Sequence, residues 1–181
     1  MLFCCPTHFS PALWVIIESM KNRNSTELKI LAAILFVAGF YGFVSSLLAI
    51  FSAENFVGII FHLGLILIFG LTTLSGLLIF KENEKGLVYA RAIVALQFIN
   101  FKIAGLGYYF VTGAYLFVGI NGSEIGFEYG LNTGMNFILG DSDVLMFRLN
   151  LLAIGAFIYL TRLLNQLDEE EIEEVTTHNN G

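Results

Sequence analysis

Charge is what this chain has least of. Of its 181 residues 13% are Asp, Glu, Lys or Arg, against 56% hydrophobic, whereas a soluble globular domain carries about 25% charged residues. With half the usual solvating charge missing, a water-soluble monomer is excluded. The 9 Lys and Arg are spread along the whole length and form no basic stripe, so a nucleic-acid partner is excluded too. Cysteine is confined to the adjacent pair Cys4 and Cys5, too strained a geometry for an ordinary disulfide, and no CxxC or Cys/His spacing occurs. Redox chemistry, structural zinc and a bound metal therefore have no basis in the sequence, and no cofactor is expected.

Catalytic signatures are missing as well. There is no HExxH, no GxSxG and no phosphate-binding glycine loop followed by Lys, and the three histidines (His8, His62, His178) lie in different regions. The long apolar runs lack the paired acidic residues of proton-coupled carriers, and a chain this short leaves little room for the repeated halves of an alternating-access carrier. The expectation is a non-enzymatic protein.

What is present is apolar sequence collected into long runs, the mark of a polytopic membrane protein. The net charge of -6 describes a tail, since Asp168, Glu169, Glu170, Glu171, Glu173 and Glu174 supply six of the 15 acids. Four runs, at 28–51, 56–80, 87–110 and 144–164, read as transmembrane helices. At 1.5 Å per residue each covers the ~30 Å of a hydrocarbon core. The expected fold is therefore an all-α membrane protein, a four-transmembrane-helix bundle.

Segment 113–141 reads as a small extracytoplasmic β-meander between the third and fourth helices. From Ser123 to Phe137 the odd positions are Ile, Phe, Tyr, Leu, Thr, Met and Phe, and the even ones are Glu, Gly, Glu, Gly, Asn, Gly and Asn. That is strand periodicity. The aromatic and β-branched run Tyr115 to Ile120 precedes it, and Asn121-Gly122 between them is the pair favoured in a type I′ hairpin turn. A second turn is predicted at Asn132-Thr133-Gly134. The glycines at 122, 126, 130 and 134 also recur every four residues, which on a helix would be a packing face. The alternation of Glu with Phe and Tyr favours the strand.

Lys21, Arg23, Lys29, Lys81, Lys85, Arg91 and Arg162 fall on one side of the four spans, and 52–55 and 112–143 contain no Lys or Arg. Both termini are therefore expected in the cytoplasm, in an integral protein of a bacterial cytoplasmic (inner) membrane. Residues 1–27 form an N-terminal cytoplasmic segment and 165–181 an acidic cytoplasmic tail that prolongs the fourth helix before fraying. Residues 1–19 lack the pattern of a signal peptide, and Met20-Lys21-Asn22-Arg23 reads as an alternative start. The other readings of 1–19 are a short interfacial or unstructured extension and an extension palmitoylated at Cys4 and Cys5.

Polar residues at span depth mark the candidate site, because a charge near the bilayer centre costs about 2.5–3.5 kcal/mol and tends to be partnered. Lys102 lies in the third run with Gln97 and Asn100, His62 in the second, and Arg148 and Asn150 in the fourth, with Glu54, Asp141 and Asp143 just above. Two readings follow. In one, Lys102 and Arg148 line an outer cavity, with His62, Asn100 and Asn150, that binds a lipid headgroup or a small carboxylate. In the other they snorkel outward and pair with Glu54, Asp141, Asp143 or the cap carboxylates, locking the cap onto the bundle. On helices, the two-residue spacing of Asn100 and Lys102, and of Arg148 and Asn150, points their side chains to different sides. The expected partners are the lipid bilayer and either further copies of the chain or another membrane protein. The functional expectation is an accessory or partner-binding membrane component, with ligand binding or transport at the Lys102 and Arg148 cavity as the alternative.

Overall fold

The computed structural model describes residues 26–53, 55–139 and 145–179. The N-terminal readings, and Glu54, Asp141 and Asp143 with them, lie outside the described residues. The element order is α1 (Thr26–Ile50), α2 (Phe56–Phe80), α3 (Glu84–Leu96), β1 (Ile99–Ile103), β2 (Leu106–Asn121), β3 (Glu124–Leu139), β4 (Met146–Asn150) and α4 (Leu151–Asn179). Helix α1 and helix α2 each have 25 residues, about 37 Å at the helical rise. Among the described residues these two are the helices long and apolar enough to cross a membrane. They agree with the first two predicted spans. Their seam is notched by small residues: Gly39 lies against the backbone of Thr72 and Thr73, and Gly76 against that of Ala32 and Phe36. Such notches let two helix backbones approach where lipid supplies no hydrophobic drive to association.

The third and fourth spans are corrected, and with them the all-α four-helix bundle. Helix α3 has 13 residues and stops at Leu96, about 20 Å of helix, and the chain then enters a four-stranded antiparallel sheet. The sheet runs from Ile99 to Asn150, far beyond the predicted insert at 113–141. The physical cause is local. Ile99-Asn100-Phe101-Lys102-Ile103 and Leu145-Met146-Phe147-Arg148-Leu149-Asn150 alternate between two faces, so either would spread its polar groups around a helix but gathers them on one side of a strand. Helix α4 begins after that alternation ends and continues to Asn179, through most of the acidic tail.

The β2–β3 hairpin is one-to-one in register from Leu106↔Leu139 to Asn121↔Glu124. Its two central turn residues are therefore Gly122 and Ser123, one position later than predicted, with Gly122 at φ 65°. Glycine at the first central position is the type II′ signature. The second predicted turn, at Asn132-Thr133-Gly134, does not form as a chain reversal, because β3 continues through those residues as one strand paired with β2.

The pairing pattern dictates that this long ribbon folds back on itself. Strand β1 is antiparallel to the start of β2 (Phe101↔Tyr108), β4 is antiparallel to its end (Ile120↔Phe147), and β1 and β4 are antiparallel to each other (Asn100↔Arg148). All three relations hold only if the two halves of β2 run in opposed directions. Tyr109 and Phe117 confirm the reversal: their ring centroids are 6.1 Å apart, whereas eight residues of straight strand span about 26 Å. The bend is at Gly113, whose φ of 94° is closed to most L side chains. A Cβ there would also collide with the Ile34 side chain of α1. The β1–β4 pair thus sits at the centre, flanked on both sides by the folded ribbon.

Two cores hold this arrangement together. Leu28 and Leu35 of α1, Leu87 and Val94 of α3, and Leu160 and Leu163 of α4 pack in one cluster. Leu65 and Phe69 of α2, Ile93 of α3 and Phe110 of β2 form the other. Phe69 and Phe110 have ring centroids 6.0 Å apart, as do Phe61 and Phe137. The helices therefore pack on the face of the sheet that carries Phe110 and Phe137.

Candidate functional site

Directly paired residues of an antiparallel sheet share a face, as do residues two apart on one strand. The register joins Asn100, Arg148, Gly119 and Gly126 in one row, and Asn150, Phe117 and Glu128 in the next. Lys102, paired with Gly107 and Met146, belongs to the same face. Four of the five predicted ligand residues (Asn100, Lys102, Arg148, Asn150) thus come together, although on helices they would have diverged. Tyr109 and Tyr115 join them by the same alternation. This polar face is turned away from the face packed on α1 and α2.

His62 is not among them. It lies on α2, where its ring stands edge-on to Phe61 with centroids 5.7 Å apart. Phe61 in turn meets Phe137, on the opposite face of the sheet. Its buried Nδ1 has no hydrogen-bond partner among the described residues.

The centre of the polar face is an ion pair. Arg148 donates from a guanidinium N–H to Oε2 of Glu128, and the Tyr115 hydroxyl donates to Oε1 at 3.2 Å. Both carboxylate oxygens are thereby engaged. Gly119 and Gly126 leave the space over which the Arg148 side chain reaches the neighbouring row. The pair is partly sheltered, with side-chain exposures of 20% for Arg148 and 45% for Glu128. Beside it the Asn132 amide donates to the Tyr109 hydroxyl at 3.0 Å. Burial pushes the Tyr109 hydroxyl above its ordinary pKa, opposed by that hydrogen bond. Tyr115 is also raised, by burial first and then by its bond to Glu128. Both phenols are neutral at physiological pH.

Asn150 works as a structural amide. Its Oδ1 accepts from Leu116 N at 3.2 Å and from Ala153 N at 3.4 Å, the second being the N-cap bond of α4. At the other helix–strand junction Gln97, the C-cap of α3, accepts from Thr112 N at 3.0 Å and donates to Thr112 Oγ1 at 2.7 Å. Between Tyr109 and Leu116 the inner edge of β2 pairs with neither β1 nor β4. Two amide side chains fill in for the missing strand there, as a buried backbone N–H requires.

Two atoms on this face have no hydrogen-bond partner among the described residues: Oδ1 of Asn100 and Nδ2 of Asn150. Both residues are buried. Toward the hairpin tip a cavity of about 210 Å³ is lined by Gly119, Asn121, Glu124, Gly126, Glu128 and Arg148. Among the described residues no group of three or more His, Cys, Asp or Glu could hold a metal ion. Sequence reasoning held Glu128 only among the cap carboxylates and missed Tyr109 and Tyr115 in this network and Thr112 as the partner of Gln97. The signal for the two tyrosines was the strand alternation, carried through to its partner strands.

The other face of β3 is apolar and bare. Ile125, Phe127, Tyr129 and Leu131 are 77%, 75%, 81% and 82% exposed, and β3 is the edge of the sheet. Comparison of the chain with protein-family models, curated proteins and solved structures gives no match.

Proposed function

We propose that this chain is a non-enzymatic membrane component that assembles with a protein partner through strand β3. Helices α1 and α2 anchor it in a bacterial cytoplasmic membrane, with both termini on the cytoplasmic side. Lys21, Arg23 and Lys29 lie at or before the start of α1 and Lys81 and Lys85 beside the α2–α3 turn, whereas the α1–α2 turn at 51–55 carries no Lys or Arg, the asymmetry expected of that orientation. One observation carries the proposal: four large apolar side chains, three-quarters or more exposed, stand in a row on an edge strand. Contiguous exposed apolar surface of this kind marks interaction sites. A photoreactive residue at Leu131, irradiated in native membranes, is expected to give a protein adduct; lipid adducts alone would overturn the reading.

A second reading, a ligand-binding or transport protein, draws support from the unpartnered Asn100 Oδ1 and Asn150 Nδ2. Its ligand would be a small polar molecule on the concave face, since Arg148 already has Glu128 as counter-ion. Native mass spectrometry from nanodiscs tests it. This reading requires a non-protein adduct that is retained by the wild type and lost in Lys102→Met; a bare protomer in both removes it.

A further inference from the structure

We infer that the partner of β3 is β3 of a second copy of this chain, paired antiparallel about a two-fold axis at Phe127. This rests on the partner-docking reading above and names its occupant. Natural proteins blunt long edge strands with charged side chains, Lys above all, or with Pro, bulges or short length. The 16 residues of β3 contain no Lys and no Pro, the strand is paired with β2 one-to-one throughout, without a bulge, and its charges are the two carboxylates Glu124 and Glu128, the second neutralised by Arg148. In the four-strand order β1-β4-β2-β3, β1 is paired on both sides, with β4 and with β2. That leaves β3 as the strand with a whole edge open among the described residues.

The side-chain order of β3 fits its own copy. For a two-fold axis perpendicular to the sheet, the axis must fall on a residue paired with itself, so that both apolar rows lie on one face. Centred on Phe127, the register sets Ile125 opposite Tyr129 and Phe127 opposite Phe127, a continuous aromatic and aliphatic row. On the other face it sets Glu124 opposite Gly130 and Glu128 opposite Gly126, so each carboxylate meets a glycine. Shifting the centre to Gly126 would place Glu124 against Glu128, and shifting it to Glu128 would place that carboxylate against itself. Like charges directly opposed destabilise a sheet. The Phe127 register also stays within the straight arm of the ribbon, short of Asn132, the partner of Gly113 at the bend. The four-residue recurrence of glycine against glutamate thereby acquires a role: it makes the edge complementary to itself. A two-fold contact of this kind closes on two copies.

Single cysteines placed on β3 of the full chain in membranes test this, with Cys4 and Cys5 replaced by Ser. Directly paired residues of antiparallel strands have Cα atoms about 4.5–5.5 Å apart, within disulfide reach. Phe127→Cys is expected to form a homodimer disulfide at least about tenfold faster than Ile125→Cys or Tyr129→Cys alone. A mixture of Ile125→Cys and Tyr129→Cys chains, tagged differently, should form the heterodimer at the Phe127→Cys rate. All three side chains are exposed, so the cysteines leave the core intact, and equal helix content by circular dichroism checks it. Equal rates at every position, or a maximum elsewhere, overturn the pairing. Absence of any disulfide dimer while the Leu131 photoprobe still captures another protein overturns the second copy and leaves the partner-docking reading standing.

Discussion

Arg148 is the residue on which the two expectations for the site divide; its partner Glu128 lies on β3, so the ion pair ties two strands of one sheet together rather than a cap to a helical bundle. Arg148→Met strands the Glu128 carboxylate, and Glu128→Gln strands the guanidinium. Fully exposed pairs are worth about 0–1 kcal/mol and a buried pair broken on one side costs about 3–5. At exposures of 20% and 45% each single change is expected to cost about 1–2 kcal/mol. The double variant should cost less than the sum, and thermal unfolding in detergent measures the cycle; strict additivity would show that the contact couples nothing. Asn150→Ala removes both the α4 cap and the acceptor of Leu116 N, an expected loss of about 1–3 kcal/mol. Asn150→Asp, which keeps the acceptor, should recover most of it. Tyr109 and Tyr115 make a pH prediction. Their folded-state pKa values are raised, so the stability they contribute is complete below the unfolded value near 10 and is lost as pH rises through the folded one. The unfolding midpoint of the wild type should therefore fall above about pH 10 more steeply than that of a Tyr109→Phe, Tyr115→Phe variant.

At the level of elements, sequence alone identifies α1, α2 and the strand alternation of β3, and it fails where hydropathy and periodicity disagree. The run from Leu87 to Phe110 is apolar enough for a membrane helix, yet it holds the end of α3, all of β1 and the start of β2. Hydropathy cannot separate these, because Phe, Tyr, Ile and Val suit lipid and sheet equally. The discriminating signal was the placement of polar residues. Asn100 with Lys102, and Arg148 with Asn150, are two apart, a spacing that disperses them on a helix and unites them on a strand. The strand-to-strand partners were not legible, since register depends on a bend at Gly113 that no periodicity announces. Gln97 carries the element-scale prediction. Gln97→Leu leaves Thr112 N buried at the bend without its acceptor, and an unsatisfied buried donor costs about 1–3 kcal/mol. Hydrogen exchange should show faster exchange at Thr112 and its neighbours in this variant, with α1 and α2 unchanged. Uniform acceleration would mean that the bend is not a separate unit.

The whole molecule couples its two long apolar helices to its sheet through β2. Phe110, Val111 and Phe117 are fully buried; Phe110 packs with Leu65 and Phe69 of α2, and the ends of β2 hold β1 and β4. A cap resting on a finished helical bundle could be cut away without harm to the rest. This sheet instead seats Phe110 and Phe137 against Phe69 and Phe61 of α2, and it joins α3 to α4. Deletion of residues 113–140 is therefore expected to abolish accumulation of the protein in membranes. The deletion removes the bend, both arms of β3 and the half of β2 that pairs with β4. Substituting Phe127 and Tyr129 together by Ser, in contrast, touches only exposed side chains. It should leave accumulation within about twofold of wild type, because surface changes away from packed groups shift stability by about 0.5 kcal/mol. Quantitative immunoblotting of membrane fractions distinguishes the cases. If both variants accumulate normally, the sheet is dispensable and the helices fold without it. If both vanish, β3 needs its apolar row covered in order to fold, and assembly is then a condition of stability for this chain.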